Sequence, residues 1–269
     1  MKSNPNQNEL LKLRGDVTLL RQEKNAAKTP ITQDMVSTRY KNAQELARQG
    51  DAAEALKEFL WCFDDGMPRV SGYGGVRTSF LLSSIAKLGE KYPAALVALR
   101  QRRDAALQRM QNSENDADAA TDFAAINRTL KEDQNTLVAF DQLPAEDSRR
   151  KTLASAACDQ LIEAQRYGDA LLGRPYAHIS AVFEMGITER PLPVNITNPE
   201  KIRKSQRDYL INSTVKNIEM LAGAGDLEHA RTLAGRLLAY DSAPETKTLL
   251  QQHTTRAGQP DLLQGLTSP

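Results

Sequence analysis

Apolar residues recur at helical spacing along most of the chain, and the clearest pattern runs from about residue 34 to residue 65. Two apolar faces follow one another there, and Arg-Gln-Gly-Asp stands between them at positions 48–51. A left-handed glycine commonly ends a helix, and an aspartate can cap the next one. The spacing therefore predicts a helical hairpin that turns at Gly50 and Asp51. Its two faces are Tyr40, Ala43, Leu46 and Ala47, then Ala52, Ala55, Leu56, Phe59, Cys62 and Phe63.

The rest of the chain is also predicted to be helical. Aromatic residues make up only 5% of it, and Ala, Leu, Gln, Glu, Lys and Arg, which are good helix formers, are abundant. A polar stretch at 112–121 suggests a subdivision near 112–120. Residues 174–199 are irregular, with one helix near 179–185, and the tail from 258 is expected to be extended or mobile. Further helices are predicted at 76–89, 93–110, 120–130, 135–140, 147–166, 199–222, 227–240 and 244–256.

The predicted hairpin recurs within the sequence. When the chain is shifted by 175 residues, the segment 40–59 falls on 215–234 without a gap, and the Lys-Asn and Gly-Asp pairs coincide. A weaker third copy at 158–173 places Gly168 and Asp169 where Gly50 and Asp51 stand. Such self-similarity is typical of helical-repeat proteins. Each copy predicts a helix, a Gly-Asp turn and a second helix.

The repeated positions resemble the tetratricopeptide repeat, although the copies are not in tandem and the early tryptophan position holds Arg39 or Thr214. The resemblance implies an all-α, irregular α-solenoid of antiparallel helical hairpins over residues 31–269, after an N-terminal helix and linker at 1–30. It also implies a groove that binds a peptide or a helix of a protein partner, with Arg39, Asn42 and Asn217 as polar groove residues. The matching positions are Ala43, Leu46, Gly50, Ala55, Phe59, Cys62 and Pro68, and later Ile218, Leu221, Gly225, Ala230 and Pro244.

A second resemblance covers more of the chain. The segments LWCFDDGM, GVRTSFLLSSIAKLGEKYPAAL and DFAAINRTL are similar to those of a group of uncharacterised bacterial helical-repeat proteins. That group implies no activity. The leading hypothesis from the sequence is a non-enzymatic interaction module or scaffold, because stacked helical hairpins form a groove that can bind a peptide or a helix.

Composition and charge narrow the classes of function. The chain has 269 residues with 40% apolar and 26% charged residues, and its 35 basic and 34 acidic side chains leave a formal charge of +1. No global field therefore attracts nucleic acid or an anionic membrane, and we expect no nucleic-acid partner. No apolar run is long enough for a membrane segment. The default expectation is a cytoplasmic protein, and a signal or anchor removed before Met1 stays open as an alternative.

Cys62 lies in EFLWCFDDGM at 58–67, beside the acidic pair Asp64 and Asp65. Negative charge and the carbonyl end of a helix both oppose formation of a thiolate, so we predict a core thiol rather than a nucleophile. The acidic pair needs a compensating cation, and Arg69 and Arg77 are the nearest ones. The prediction is a structural ion pair between Asp64 and Arg77.

The segment SGYGGVRTS at 71–79 is rich in glycine and precedes a helix. One interpretation is a turn whose glycines permit close packing of helices. The alternative is a small-anion-binding site, or an enzyme pocket, near Asp64, Tyr73, Arg77 and Ser79. It lacks the Lys-Ser/Thr pair of a phosphate-binding loop.

The remaining motifs point to no cofactor and no metal. The histidines His178, His229 and His253 are scattered, and the Asn-x-Ser/Thr triplets at Asn127, Asn195 and Asn212 are interpreted as ordinary polar residues. Leu10, Leu13, Val17 and Leu20 follow heptad spacing. A homo-oligomer assembled through residues 8–24 is therefore a further alternative, as is a helix that caps the solenoid.

Overall fold

The structure is a computed structural model that describes residues 30–188 and 197–266. Helices dominate, and no β-strand occurs in these two ranges, so the all-α prediction is confirmed. The predicted helix and oligomer contact at residues 8–24, the triplet at Asn195 and the last three residues lie outside the described ranges. The chain divides into two compact units, the first ending at Ala95 and the second beginning at Leu96. The subdivision suggested near residues 112–120 falls within the second unit.

The first unit contains the predicted hairpin. Helix α1 spans Gln33–Gln49 and helix α2 spans Ala52–Trp61, and Gly50 between them is left-handed with a φ of 95°. Asp51 occupies the capping position, but its side chain makes no capping hydrogen bond, so that part of the prediction is wrong. The helices pack through buried apolar residues that include Val36, Ala43 and Phe59.

Two π-helical segments follow in the first unit. Cys62–Gly66 continues α2 with wider turns, and Met67–Arg69 forms one turn of 3₁₀-helix. Helix α3, Gly74–Val76, leads into the second π-helical segment, Arg77–Leu81, and then into helix α4, Leu82–Gly89. The two π-helical segments contact each other. The helix that was predicted to reach about Asp65 therefore ends as an α-helix at Trp61 and continues to Gly66 as a π-helix.

The second unit is built from ten further helices among the described residues. Helix α12, which is the longest, contacts α9, α10, α11, α13 and α14, so it lies at the centre of the packing. The helices are α5 (Ala94–Asn112), α6 (Ala117–Leu130), α7 (Asp133–Asp141), α8 (Ser148–Ala156), α9 (Cys158–Glu163), α10 (Tyr167–Gly173), α11 (Tyr176–Ile187), α12 (Pro199–Gly223), α13 (Leu227–Tyr240) and α14 (Pro244–Arg256).

The third predicted copy turns at a different residue. Gln165 has a φ of 57°, and Arg166 N–H donates to the Leu161 carbonyl, whereas Gly168 and Asp169 lie inside α10. Asp169 binds Arg150 and Arg166 at 2.9 Å and 2.7 Å rather than capping a turn. The predicted helix 147–166 is divided at Ala157 into α8 and α9. The turn was misplaced because a glutamine holds the left-handed position, which glycine more often occupies.

The end of the described chain is ordered rather than extended. Leu262 is buried, and Arg231 on α13 donates to the carbonyls of Leu262 and Gln264 at 2.7 Å and 3.0 Å. Gly258 is left-handed with a φ of 75°, and it turns the chain back after α14. The expectation of an extended tail was wrong for residues 258–266, because apolar burial and the arginine hold this segment against α13.

A buried carboxylate connects three helices of the second unit. Glu219 on α12 is fully buried, and Tyr167 on α10 donates a hydrogen bond of 2.9 Å to it. From α14, Arg256 pairs with the same carboxylate at 2.9 Å and His253 contacts its other oxygen. Burial and the bond to Glu219 both raise the pKa of Tyr167. A buried charge is tolerated when it is paired and hydrogen-bonded. The Glu219 carboxylate therefore links α10, α12 and α14.

Candidate functional site

Arg39, a predicted groove residue, is already occupied by contacts within the first unit. Its guanidinium group binds Glu58 through two hydrogen bonds of 2.5 Å and 2.9 Å, and it lies 3.8 Å from the centre of the Trp61 ring. Gly66 lies against that ring, since a Cβ atom added there would be 2.7 Å from Trp61. These contacts join α1 to the end of α2. Asn42, on α1, is exposed.

The four residues of the predicted anion site are distributed around the π-helical segments. Arg77 donates from Nε to the Phe63 carbonyl at 2.9 Å, and its guanidinium group lies 4.0 Å from the centre of the Phe63 ring. Ser79 donates to the Gly75 carbonyl at 2.5 Å, and Asp64 is exposed while Tyr73 is half-buried. Arg77 thus joins the two segments, and its ion pair with Asp64 stays a prediction. Asp65 pairs with Arg69 at 3.2 Å.

The glycines of the segment 71–79 do not serve close packing. A Cβ atom added at Gly72, Gly74 or Gly75 would meet no heavy atom within 4 Å. Only Gly72, with a φ of 88°, has a backbone conformation that favours glycine. The packing interpretation of these glycines was therefore wrong.

Both cysteines are core thiols. Cys62 and Cys158 are buried, and burial raises the pKa of each from an ordinary value of 9.0 to about 11, with Arg39 and Arg174 respectively opposing the rise. Cys158 contacts the sulfur of Met220 at 3.7 Å. The interpretation of Cys62 as a small core residue agrees with this placement.

We expect the two thiols to make the fold sensitive to alkaline pH. The folded state keeps its thiol protons up to about pH 11, whereas the unfolded chain loses them near 9.0, so stability should fall as pH rises from about 9 towards 11. Urea unfolding across this range measures the effect. In a Cys62→Ala/Cys158→Ala variant the free energy of unfolding should fall less steeply with pH. An equally steep fall would show that the two thiols do not cause the sensitivity.

A charged cluster in the second unit was not predicted from the sequence. Asp159 on α9 is approached at 3.5–3.6 Å by Arg128 on α6, Arg174 after α10 and Lys216 on α12. Glu163, one turn along α9, lies 3.6 Å from Arg128 and 3.9 Å from Lys216. The five side chains, which we call the charged cluster, are all partly exposed and carry three positive and two negative charges.

Asn217 is the one predicted groove residue that lies beside the charged cluster. Its side-chain oxygen accepts a hydrogen bond of 3.1 Å from Arg174, and its side chain is largely buried. It follows Lys216 directly on α12. Asn217 therefore helps to hold Arg174 of the charged cluster in place, whereas Arg39 and Asn42 lie in the first unit.

A polar cleft adjoins the charged cluster. It has a volume of about 650 Å³ and is bordered by hydroxyl, amide and small side chains of α6, α8 and the end of α10. Gly173 in the cleft is followed by Arg174 of the cluster, and Ala156 precedes Asp159 by three residues. The cleft also shares helix α6 with the cluster, since Thr121 lines the cleft and Arg128 belongs to the cluster. The lining is Glu114, Asn115, Ala117, Thr121, Ser148, Lys151, Thr152, Ser155, Ala156 and Gly173.

Close approach of two helices gives the cleft its floor. A Cβ atom at Gly173 would lie 2.2 Å from the Ser155 backbone nitrogen, so α10 packs directly on α8. Thr152 donates to Asn115 at 3.4 Å and Ser148 to the Glu114 carbonyl at 3.3 Å. Lys151 and Ser155 make no side-chain hydrogen bond or ion pair with the described part of the chain. A ligand could therefore bind the unpaired Lys151 and Ser155 side chains, and it could replace the long hydrogen bonds of Thr152 and Ser148.

The sequence carried weak signals for this surface. Arg128 stands in the segment DFAAINRTL, and Asp159 and Glu163 stand in the third repeat copy. Each charge is ordinary in its local sequence, because the five cluster residues are spread over almost ninety positions of the chain. Only the packing of α6, α9 and α12 brings them together.

The chain matches no protein-family model, no curated protein and no solved structure. Within residues 30–188 and 197–266, no helix is both long enough and apolar enough to cross a membrane. No group of three or more potential metal ligands occurs in the same ranges.

Proposed function

We propose that this protein is a non-enzymatic interaction module that binds an extended peptide of a partner protein along the polar cleft and the charged cluster. The observation that carries the proposal is that the cleft and the cluster both use helix α6 and meet in sequence at Gly173 and Arg174. Peptide backbones are recognised by arrays of hydrogen-bonding groups, and charged side chains at one end add register and specificity.

The spacing of left-handed turns in the second unit supports the proposal, because it favours an irregular α-solenoid. Lys131, Gln165, Gly225 and Gly258 are all left-handed turn residues that end a helix. About 34 residues separate Lys131 from Gln165, and nearly the same number separate Gly225 from Gly258, which is the repeat length of the tetratricopeptide family. Solenoids of this kind present elongated surfaces to their ligands.

The contacts between helices are consistent with stacking of successive hairpins. Helix α6 packs on α8, α9 on α12, and α12 on α14, so helices of successive hairpins are neighbours. The cleft lies along the α6–α8 contact, and the cluster lies where α6, α9 and α12 meet. A peptide in this position would cross three hairpins, which a single helical pair cannot offer.

Selection of peptides tests the proposal directly. A phage-displayed peptide library is selected against the full chain, and the affinities of the selected peptides are measured by fluorescence anisotropy. We expect Glu163→Lys to weaken binding at least about tenfold, because it removes two ion pairs and repels Arg128 and Lys216.

Glu228→Lys is the matched control. Glu228 is an exposed acid in the first turn of α13, outside the cleft and the cluster, so the same change of charge should leave affinity nearly unchanged. Melting temperatures of both variants establish that they fold. Equal losses in the two variants, or no selectable peptide, would rule out this surface as the binding site.

A further inference from the structure

One end of the second unit exposes apolar side chains from three helices. Tyr209 on α12 is 76% exposed and Met185 on α11 is 53% exposed, and Val182 and Tyr240 are also exposed. Isolated exposed apolar residues are common, but a group of them at one place marks an interaction site. We call these four residues the apolar patch.

Contacts beneath the apolar patch place its members on neighbouring parts of three helices. A Cβ atom at Gly186 would lie 2.5 Å from a Leu210 methyl group, and Met185 and Tyr209 are the residues that precede these two. The Phe183 and Tyr240 rings meet edge to face at 6.5 Å. Arg207 pairs with Asp241, next to Tyr240. The ends of α11 and α13 therefore lie together against the middle of α12.

Basic residues flank the apolar patch. The first eleven residues of α12, from Pro199 to Tyr209, include no buried residue. Lys201, Arg203 and Lys204 are exposed there, and the two lysines make no ion pair with any described residue. Arg207 is compensated by Asp241. The chain as a whole is nearly neutral, whereas residues 199–209 carry four basic and two acidic side chains next to the exposed Tyr209.

We propose that the apolar patch and its basic flank dock the protein on an anionic lipid surface. Tyrosine favours the headgroup layer, and apolar side chains such as Met185 and Val182 can enter the edge of the acyl region. Lysines close to an anionic leaflet add attraction. Lysine is depleted at protein–protein interfaces, so its presence favours a lipid surface over a protein partner.

Sedimentation of the full chain with lipid vesicles tests the docking. We expect binding to vesicles of phosphatidylcholine mixed with phosphatidylserine, little binding to phosphatidylcholine alone, and weaker binding as salt is raised. Lys201→Gln/Lys204→Gln should lower the partition coefficient about 30-fold. Met185→Ser/Tyr209→Ser should lower it about tenfold, because it removes the inserted groups.

Lys87→Gln/Lys131→Gln is the matched control, since it removes two exposed charges from α4 and the α6–α7 turn. Its partition coefficient should stay within about twofold of the original chain. The proposal would be overturned if this control weakened binding as strongly as Lys201→Gln/Lys204→Gln does. It would also be overturned if the chain did not bind anionic vesicles. If the original chain self-associated without binding vesicles, and Met185→Ser/Tyr209→Ser abolished the self-association, the apolar patch would instead be a contact between copies of the chain.

Discussion

Replacing Glu219 by leucine is expected to lower the free energy of unfolding by about 3 kcal/mol, because it leaves Arg256, His253 and Tyr167 without their shared carboxylate. Removal of one member of a buried ion pair costs more than the pair contributes, and here the buried Tyr167 hydroxyl loses its acceptor, whereas Arg256, which is 39% exposed, can bind water. Urea unfolding followed by circular dichroism measures the change.

The control for this change is Glu228→Leu. Glu228 is an exposed glutamate on α13, and its loss should alter stability by less than about 0.5 kcal/mol. Tyr167→Phe should cost about 1 kcal/mol in the original chain and much less in the Glu219→Leu background, because the same hydrogen bond is then already lost. Additive effects of the two changes would show that Tyr167 and Glu219 do not act together.

Replacing Gly173 by alanine is expected to destabilise the second unit by about 3 kcal/mol. The added methyl group would lie 2.2 Å from the Ser155 nitrogen and 2.3 Å from the Ala154 carbonyl carbon. These are backbone atoms, so α10 would have to move away from α8 and the floor of the cleft would change. Peptide affinity should fall together with the melting temperature.

Gly168 provides a matched control within the same helix. An alanine there would meet no atom within 4 Å, and the residue is helical, so we expect Gly168→Ala to be neutral or to stabilise by about 0.5 kcal/mol. Thermal unfolding of both variants gives the comparison. Similar melting temperatures for the two would contradict the close approach of α8 and α10.

The helical elements were largely predictable, and the turns between them only in part. Gly50 and Gly225 were recognised because glycine is the residue that most readily adopts a left-handed conformation. Lys131 and Gln165 adopt it as well, at a cost that the surrounding packing compensates, and the sequence gives no sign of this. The Gly-Asp pair at 168–169 was misleading for the same reason.

The candidate site could not be located from the sequence. Arg39 and Asn217 were chosen as polar positions on repeated helices, and both are engaged by neighbouring side chains, Arg39 by Glu58 and Asn217 by Arg174. Polar side chains on a helix face are free or paired according to what packs against them. That information lies in contacts between residues that are far apart in the chain.

The sequence by itself determined that the protein is helical, that a hairpin turns at Gly50 and that Cys62 belongs to a core, because these depend on local propensity and on the spacing of apolar residues. The tertiary structure alone decided the charged cluster, the buried Glu219 and the exposed end of α12. Each of these depends on which helices are neighbours. Side-chain electrostatics and burial are properties of that packing, and helical periodicity does not encode them.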